Sequence, residues 1–448
     1  MMRQAQALQV MLSGEPVFLT GPPGAGKTYV LNQFVRLAEA RGKRVAVTAS
    51  TGIAATHIGG TTIHSWSGLG IRDHLSGFDK ERLVANNRLI KRYNSTDILV
   101  VDEVSMLHGK RLDLVNEVCK LLRGNDQPFG GLQVVLVGDL FQLPPVTRGE
   151  EVVDFAHTSQ AWAELNLKVC YLSEQHRLQQ DGLLDLLVAM RRGDTNELHE
   201  TMLTERLRQK PTAGTTFTKL YSHNIDVEAI NQRHLDAIDA DTQVYEMETK
   251  GAAAKVEQLT KSVLAPMQLE LKIGAEVMFV ANNFAAGFVN GSRGQVVGFS
   301  KGSGWPLVKL QRGNRTFTVE PHSWSLSEDG RVRAEVRQLP LRLAWAITIH
   351  KSQGMSLDGA EIDLGRSFTP GMGYVALSRV RSLDGVYLGG INAMALRMHP
   401  DIFEFDAQLL SASNALAKIT DDFDEASEVK TKAETTVVDQ MLLDSLKI

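Results

Sequence analysis

The chain has 448 residues, enough for two or more core-forming units. At 43% hydrophobic and 22% charged it has the composition of an ordinary soluble globular protein. The net charge of −4 gives none of the basic excess usual in nucleic-acid-binding proteins, and no apolar run approaches the ~20 residues of a membrane span. Met1–Leu12 lacks the basic, apolar and small-residue succession of a secretory signal. Cys119 and Cys170 lie far apart among apolar neighbours, so two buried thiols in a reducing compartment, cytoplasm or nucleoplasm, are the expectation.

Four apolar runs, Val17–Thr20, Val45–Thr48, Ile98–Val101 and Val134–Val137, each end in a polar or glycine-rich turn. Between the first two, Val30, Leu31, Phe34, Val35 and Leu37 recur at helical spacing over Tyr29–Ala40. Continuous apolar strands alternating with helices predict a parallel sheet covered on both faces, with ligands beyond the carboxyl ends of the strands. A second α/β unit can draw strands from Val169–Leu172, Thr216–Tyr221, Leu343–Thr348 and Gly385–Gly390. Between Pro266 and Glu335 the texture changes. Glu276–Val280, Gly294–Phe299, Leu307–Leu310 and Arg315–Val319 are short strand candidates separated by Asn290-Gly291, Gly302–Gly304 and Gly313-Asn314, which predicts a small inserted β-barrel. The end, Ser411–Ile448, carries eight acids, four lysines and one aromatic, Phe423. Its start is expected to be disordered, and Val437–Leu446 could form a short helix. Without it the body holds 44 acids and 44 bases, so any nucleic-acid path must be a local groove.

Gly21-Pro22-Pro23-Gly24-Ala25-Gly26-Lys27-Thr28 fits G-x-x-x-x-G-K-[ST] between a strand and a helix. Backbone N–H groups and the helix N-terminus would close around phosphates, Lys27 would reach the β- and γ-phosphates, and the Thr28 hydroxyl would bind Mg²⁺. Val101-Asp102-Glu103 supplies an acid for the metal, Asp102, and one to activate water, Glu103. Gly138–Pro145 places Gln142 after the fourth strand, where it senses the γ-phosphate or is simply a loop residue ahead of two prolines. ATP and Mg²⁺ are the expected cofactors.

These motifs, with Ala49–Ala55, Thr62–Trp66, Asp102–Met106, Gln175-His176-Arg177, Ile349–Gly354 and Tyr374–Arg379 in that order, resemble the Pif family of 5′-to-3′ DNA helicases, in superfamily one near the RecD-like branch. The resemblance spans about Gln4 to Gly390. It implies two RecA-like domains: 1–168, with a wedge or pin about 68–95, and 169–410, interrupted by the β-barrel about 266–335. The acidic end, 411–448, would follow.

By the same resemblance Arg177 and Arg379 reach the transferring phosphoryl group from the second domain, Gln4 reads adenine, and Gly354 belongs to the nucleotide site. His176 and Leu178 depart from the family's usual Phe and Gln. Leu140 and Met355-Ser356 are smaller departures. A DNA track would run over Thr51, His64, Ser65 and Trp66 on the first domain and His350, Lys351 and Ser352 on the second, gripping phosphates and stacking on bases without reading sequence. A core position for Trp66, and structural roles for His64 and His350, are the lesser alternatives. In the wedge, Leu75 and Phe78 are the apolar candidates for contact with a splitting base pair. For Phe288 and Trp324 in the barrel, core packing is the better reading.

The expectation is an ATP-dependent helicase acting on single-stranded DNA and its junctions with duplex in genome maintenance. A monomer without membrane contact is expected, cytoplasmic and nucleoid-associated, or nuclear in a eukaryote. A RecD-like subunit of a recombination complex and an ATP-gated DNA clamp that does not unwind are the alternatives. No nuclease-like carboxylate cluster stands out.

Overall fold

A computed structural model describes residues 2–70, 74–146, 152–174, 181–211, 217–223, 227–281, 283, 288, 292–311, 315–328 and 331–428. The chain divides into two units, Met1–Arg177 with Pro400–Ile448, and Leu178–His399.

The first unit is built on strands β1 (Val17–Thr20), β2 (Val45–Ala49), β3 (Thr61–Thr62), β4 (Ile98–Asp102), β5 (Gln133–Val137) and β6 (Lys168–Tyr171). They form one sheet in the order β3-β2-β4-β5-β1-β6, parallel throughout. Every residue of β1 and β4 is buried, as expected for central strands covered on both faces. Helix Lys27–Ala40 turns Val30, Leu31, Phe34, Leu37 and Ala38 inward onto the core that β1 and β5 share with helix Gln4–Leu12. The carboxyl ends of β1, β4 and β5 therefore deliver the glycine-rich loop, Asp102 and the Gly138 loop to the same edge.

Two boundaries differ from the sequence expectation. The run at Val169–Leu172 does not start the second unit: β6 pairs with β1 in the register Val17↔Lys168 to Thr20↔Tyr171. The stretch from Ser411 does not begin disordered either, since Pro400–Glu428 is one helix of the first unit. Ile402, Leu409, Ser413 and Ala417 are buried, and the acids of the stretch from Ser411 start at Asp421, past the last of these positions. Composition of the whole tail masked this amphipathic first part. Val437–Leu446 lies outside the described residues.

The second unit has a parallel sheet ordered Ala346–Thr348, Thr218–Tyr221, Ala360–Leu364, Val386–Ile391. The expected single strand Leu343–Thr348 is split. Leu341–Leu343 joins a five-stranded antiparallel sheet with Glu276–Phe279, Arg293–Phe299, Pro306–Leu310 and Thr316–Thr318. Phe279, Phe288 and Phe317 stack inside it, with Phe279 and Phe288 centroids 4.0 Å apart. A three-stranded sheet of Glu248–Gly251, His322–Glu328 and Arg331–Gln338 packs with helix Ala253–Ser262 around Trp324. Phe288 and Trp324 are both buried core residues, and the two sheets draw in Glu248–Gly251 and Leu341–Leu343, so the insertion is larger than 266–335.

Candidate functional site

The loop after β1 is set by residues that tolerate its backbone. Gly26 caps helix Lys27–Ala40 at φ +88°, and a Cβ there would run into the Gln4 amide. Gln4 itself donates from Nε2 to the Ala25 carbonyl at 3.1 Å, so the first helix is tied to the loop. Lys27 Nζ donates to the carbonyls of Gly21 (2.7 Å) and Pro22 (3.1 Å), folded back over the loop interior. Ala25 is buried; Pro22, Gly24 and Gly26 are half-buried, and Thr28 opens the helix exposed.

Asp102 ends β4 and is buried. Burial, then the neighbouring Glu103 charge, pushes its carboxyl up to about 7, against the Glu103 N–H and the Lys27 ammonium. Glu103 has a left-handed backbone, φ +51°, uncommon for a residue with a Cβ. Ser50 holds this turn, donating from Oγ to the Glu103 carbonyl at 2.7 Å and from its N–H to the Asp102 carbonyl at 3.1 Å. The Asp102 carboxyl beside Lys27 and the Thr28 hydroxyl are oxygen donors of the kind a hard divalent cation takes. Among the described residues no three His, Cys, Asp or Glu side chains cluster as a metal centre.

After β5, Asp139 is fully buried and organises its own loop. Its carboxylate accepts from the Phe141 N–H at 3.2 Å and from Gln142 Nε2 at 3.4 Å, and the Gln142 N–H donates to its carbonyl at 3.0 Å.

The expected DNA residues of the first unit fall into different environments. Thr51 caps helix Gly52–His57, its Oγ1 accepting from the Ala54 N–H at 3.2 Å. The Ser65 N–H donates to Thr62 Oγ1 at 3.3 Å, fixing the short helix Ile63–Trp66. His64 is half-buried, and burial, with the Arg111 and His108 charges, lowers its pKa to about 4, so it is neutral at physiological pH. Trp66 is not a stacking platform. It is buried against Tyr93, ring centroids 4.6 Å apart, with its carbonyl accepting from Arg92 at 2.7 Å. A large ring on a four-residue helix gains more from this core than from solvent. In the wedge region, helices Gly77–Val84 and Asn87–Ser95 bury Leu83, Leu89 and Tyr93, while Phe78 is 73% exposed and Leu75 half-buried.

In the second unit His350-Lys351-Ser352 forms a 3-10 turn after Ala346–Thr348. Burial, then the His223 charge, lowers the His350 pKa; burial, then Arg342, lowers that of Lys351. Ser352 is fully buried and its hydroxyl donates to the Ile349 carbonyl at 2.7 Å, which makes it a turn-former, not a phosphate donor. Gly354 has φ +76°. Arg379 is buried, with Nε on the Val375 carbonyl at 2.9 Å and a terminal nitrogen on Ser378 Oγ at 2.8 Å. Arg177, with Gln175 and His176, lies outside the described residues.

Comparison with known proteins places this geometry. A PIF1-like helicase model matches residues 2–201 and a "DNA helicase Pif1, 2B domain" model matches 256–299. The ATP-dependent DNA helicase Pif1 of Psychrobacter sp. (strain PRwf-1) is 42% identical over 458 residues, covering 89% of this chain and 69% of that protein. The chain belongs to the PIF1-like helicase family. The crystal structure of Bacteroides sp Pif1 in complex with ADP-AlF4 is similar at TM-score 0.80 and 28% identity, over 92% of this chain and 97% of that one. Bacteroides Pif1 in complex with ADP-AlF3 and ssDNA is similar at TM-score 0.63 and 28% identity, over 90% and 97%. The chain spans about two thirds of the length of the first curated relatives it matches.

Against this PIF1-family background, the 2B match falls on the insertion, from helix Ala253–Ser262 into Arg293–Phe299. Sequence reading passed over Ser50 and Asp139 as members of motifs without roles, although each bonds a residue that it singled out. It also missed His223 and Phe368. Their rings lie 4.9 Å apart, Phe368 is 6.3 Å from His350, and Phe368 is 55% exposed. An aromatic shortly after a strand carboxyl end was the available signal.

Proposed function

We propose that this PIF1-family protein hydrolyses Mg²⁺-bound ATP to move 5′-to-3′ along single-stranded DNA, parting duplex or structured DNA in repair, recombination or replication. As a family member it is an ATP-dependent DNA helicase. The observation that carries the mechanism is the convergence at one sheet edge of Lys27, Asp102, Glu103 and Gln142. Phosphoryl transfer needs positioning and charge more than covalent chemistry, and this edge offers both. Lys27 exchanges its carbonyl partners for phosphate oxygens. Asp102 and the Thr28 hydroxyl would hold Mg²⁺, which neutralises charge on the β- and γ-phosphates. Glu103 orients and deprotonates water; Gln142 reports the γ-phosphate. Gln4 contacts adenine. On the family resemblance Arg177, Arg379 and Gly354 are assigned to the nucleotide as well. Direction of travel rests on the family resemblance.

Thr51, a neutral His64, Ser65, His350 and Lys351 are the proposed DNA contacts, and the partners are single strands and their junctions with duplex. A relative, Bacteroides Pif1, has been crystallised with ssDNA, which supports that reading. The protein works as a monomer, in the cytoplasm on the nucleoid or in a nucleus. The test is ATP hydrolysis with and without single-stranded DNA, followed by unwinding of forks with one 5′ or one 3′ tail. Stimulated turnover and 5′-tail-dependent unwinding are expected; turnover indifferent to DNA would overturn the motor.

A further inference from the structure

The helix Pro400–Glu428 grips the first unit on both flanks of the nucleotide loop. At its start, the Phe403 ring packs on Phe141 with centroids 5.6 Å apart. Phe141 is buried in the Gly138 loop, next to Gln142, and its N–H shares the Asp139 carboxylate with the Gln142 amide. Further along, Ser413 Oγ accepts from the Tyr171 N–H at 2.9 Å, and the Ala417 carbonyl accepts from Gln6 Nε2 at 3.3 Å. Gln6 is on the same helix as Gln4, which is bonded to the loop at Ala25. A second set of contacts from the same helix leads elsewhere. Phe405 stacks on His157 at 4.2 Å and meets Trp162 edge-on at 6.2 Å, away from the Gly138 loop in sequence and in contacts.

Gln142 has a weak hold of its own. Its side chain is restrained by one 3.4 Å bond to Asp139, at the long end of hydrogen bonding. What fixes the loop more firmly is the buried Phe141 ring, and one wall of that ring's environment is Phe403. Packed aromatic rings have few alternative positions, so a ring that keeps its neighbour in place also keeps the neighbour's backbone in place. Displacement of a reacting group by ~1 Å costs up to about a hundredfold in rate. We propose that Phe403 is a positioning residue for ATP turnover. Through Phe141 it holds Gln142 at the γ-phosphate, so the seating of the C-terminal helix sets the hydrolysis rate. This rests on the ATPase reading above and adds a determinant more than 250 residues from the loop it serves.

The experiment compares full-length Phe403→Ala, Phe403→Tyr and Phe405→Ala with wild type, each in the presence and absence of Gln142→Ala. Thermal midpoint, kcat at saturating single-stranded DNA and KM for ATP are read for all. Phe403→Ala is expected to lower kcat roughly tenfold with KM within about twofold, short of the loss for full misplacement. Phe403→Tyr, which keeps the ring, should restore kcat. Phe405→Ala should lower the thermal midpoint by a similar amount while kcat stays within about twofold. In the Gln142→Ala background Phe403→Ala should add no further loss, the non-additivity of residues acting through one another. Equal kcat losses from Phe403→Ala and Phe405→Ala, or additive losses with Gln142→Ala, would overturn the positioning role while leaving the ATPase intact. A wild-type protein without DNA-stimulated hydrolysis would remove the ATPase reading and this inference together.

Discussion

The Glu103 N–H donates to the Asp102 carboxylate at 2.8 Å, and Glu103 makes that bond from a left-handed backbone. Two acids are thus adjacent in sequence with different environments, one buried beside Lys27 and the other turned out of the strand. Glu103→Gln should keep nucleotide affinity within about twofold and lower turnover at least roughly a hundredfold, as removal of a single transition-state group does. Fluorescent-nucleotide binding and phosphate release separate the two. Glu103→Gly should also stop turnover while raising stability by ~1 kcal/mol, because glycine carries no left-handed penalty. Turnover near wild type in either variant would take the role from Glu103.

Gly26→Ala places a methyl group against the Gln4 amide at a φ of +88°. Loss of nucleotide binding by roughly tenfold or more is expected, since both the steric contact and the backbone strain act on the phosphate loop. In a Gln4→Ala background, where the contact is absent, Gly26→Ala should still weaken binding by the part due to the backbone. Equal binding by Gln4→Ala and the double variant, measured by calorimetric titration with a non-hydrolysable ATP analogue, would show that the backbone is not strained.

Trp66 is a core residue, so its loss should read as instability. Trp66→Ala should cost about 3–5 kcal/mol, as large-to-small core changes do. Trp66→Phe, which keeps a ring on Tyr93, should bind single-stranded DNA within about twofold of wild type. Chemical denaturation and fluorescence anisotropy give the two numbers. A binding loss in Trp66→Phe without a stability loss would return the ring to the DNA track.

His64 gives a pH signature. Its folded pKa, about 4, is below its ordinary 6.5, mainly through burial and then through Arg111 and His108. The folded state therefore refuses a proton that the unfolded chain accepts. The stability it contributes is complete above pH 6.5 and drains away as pH falls towards 4. His64→Gln should lower the thermal midpoint less between pH 7.5 and 5 than wild type does, by a few degrees at about 2–4 °C per kcal/mol. Parallel pH curves for the two proteins would mean that His64 titrates normally. A neutral His64 also adds no counterion release, so the salt slope of DNA binding should be unchanged in the variant.

The glycine-rich loop was readable in the chain because its chemistry is local: the glycines, Lys27 and Thr28 are neighbours in sequence and in space. Asp102 and Glu103 were readable for the same reason. The membership of β6 was not, since its partner in register is Val17–Thr20, about 150 residues away, and an apolar run does not say which sheet it joins. Ala360–Leu364 was passed over because Glu361 and Asp363 interrupt its apolar pattern, each half-buried between fully buried neighbours. Trp66 could not be assigned, because a four-residue helix has too few turns to show which face is apolar. The helix after Pro400 was hidden by averaging: its packed half precedes the acids that dominate the composition of the tail.

That helix also bears on biosynthesis. Tyr171 in β6 meets its Ser413 acceptor 242 positions further along the chain. At ~5–20 residues per second, the ribosome delivers that acceptor about 10–50 s after the strand has emerged. Throughout that interval the edge strand and the Phe141 ring lack the cover that the helix provides. The first unit is thus begun first and finished last, with the second unit free to fold in between. A nascent chain stalled before Pro400 presents an unprotected strand edge, the state in which a chaperone or a second copy would find it.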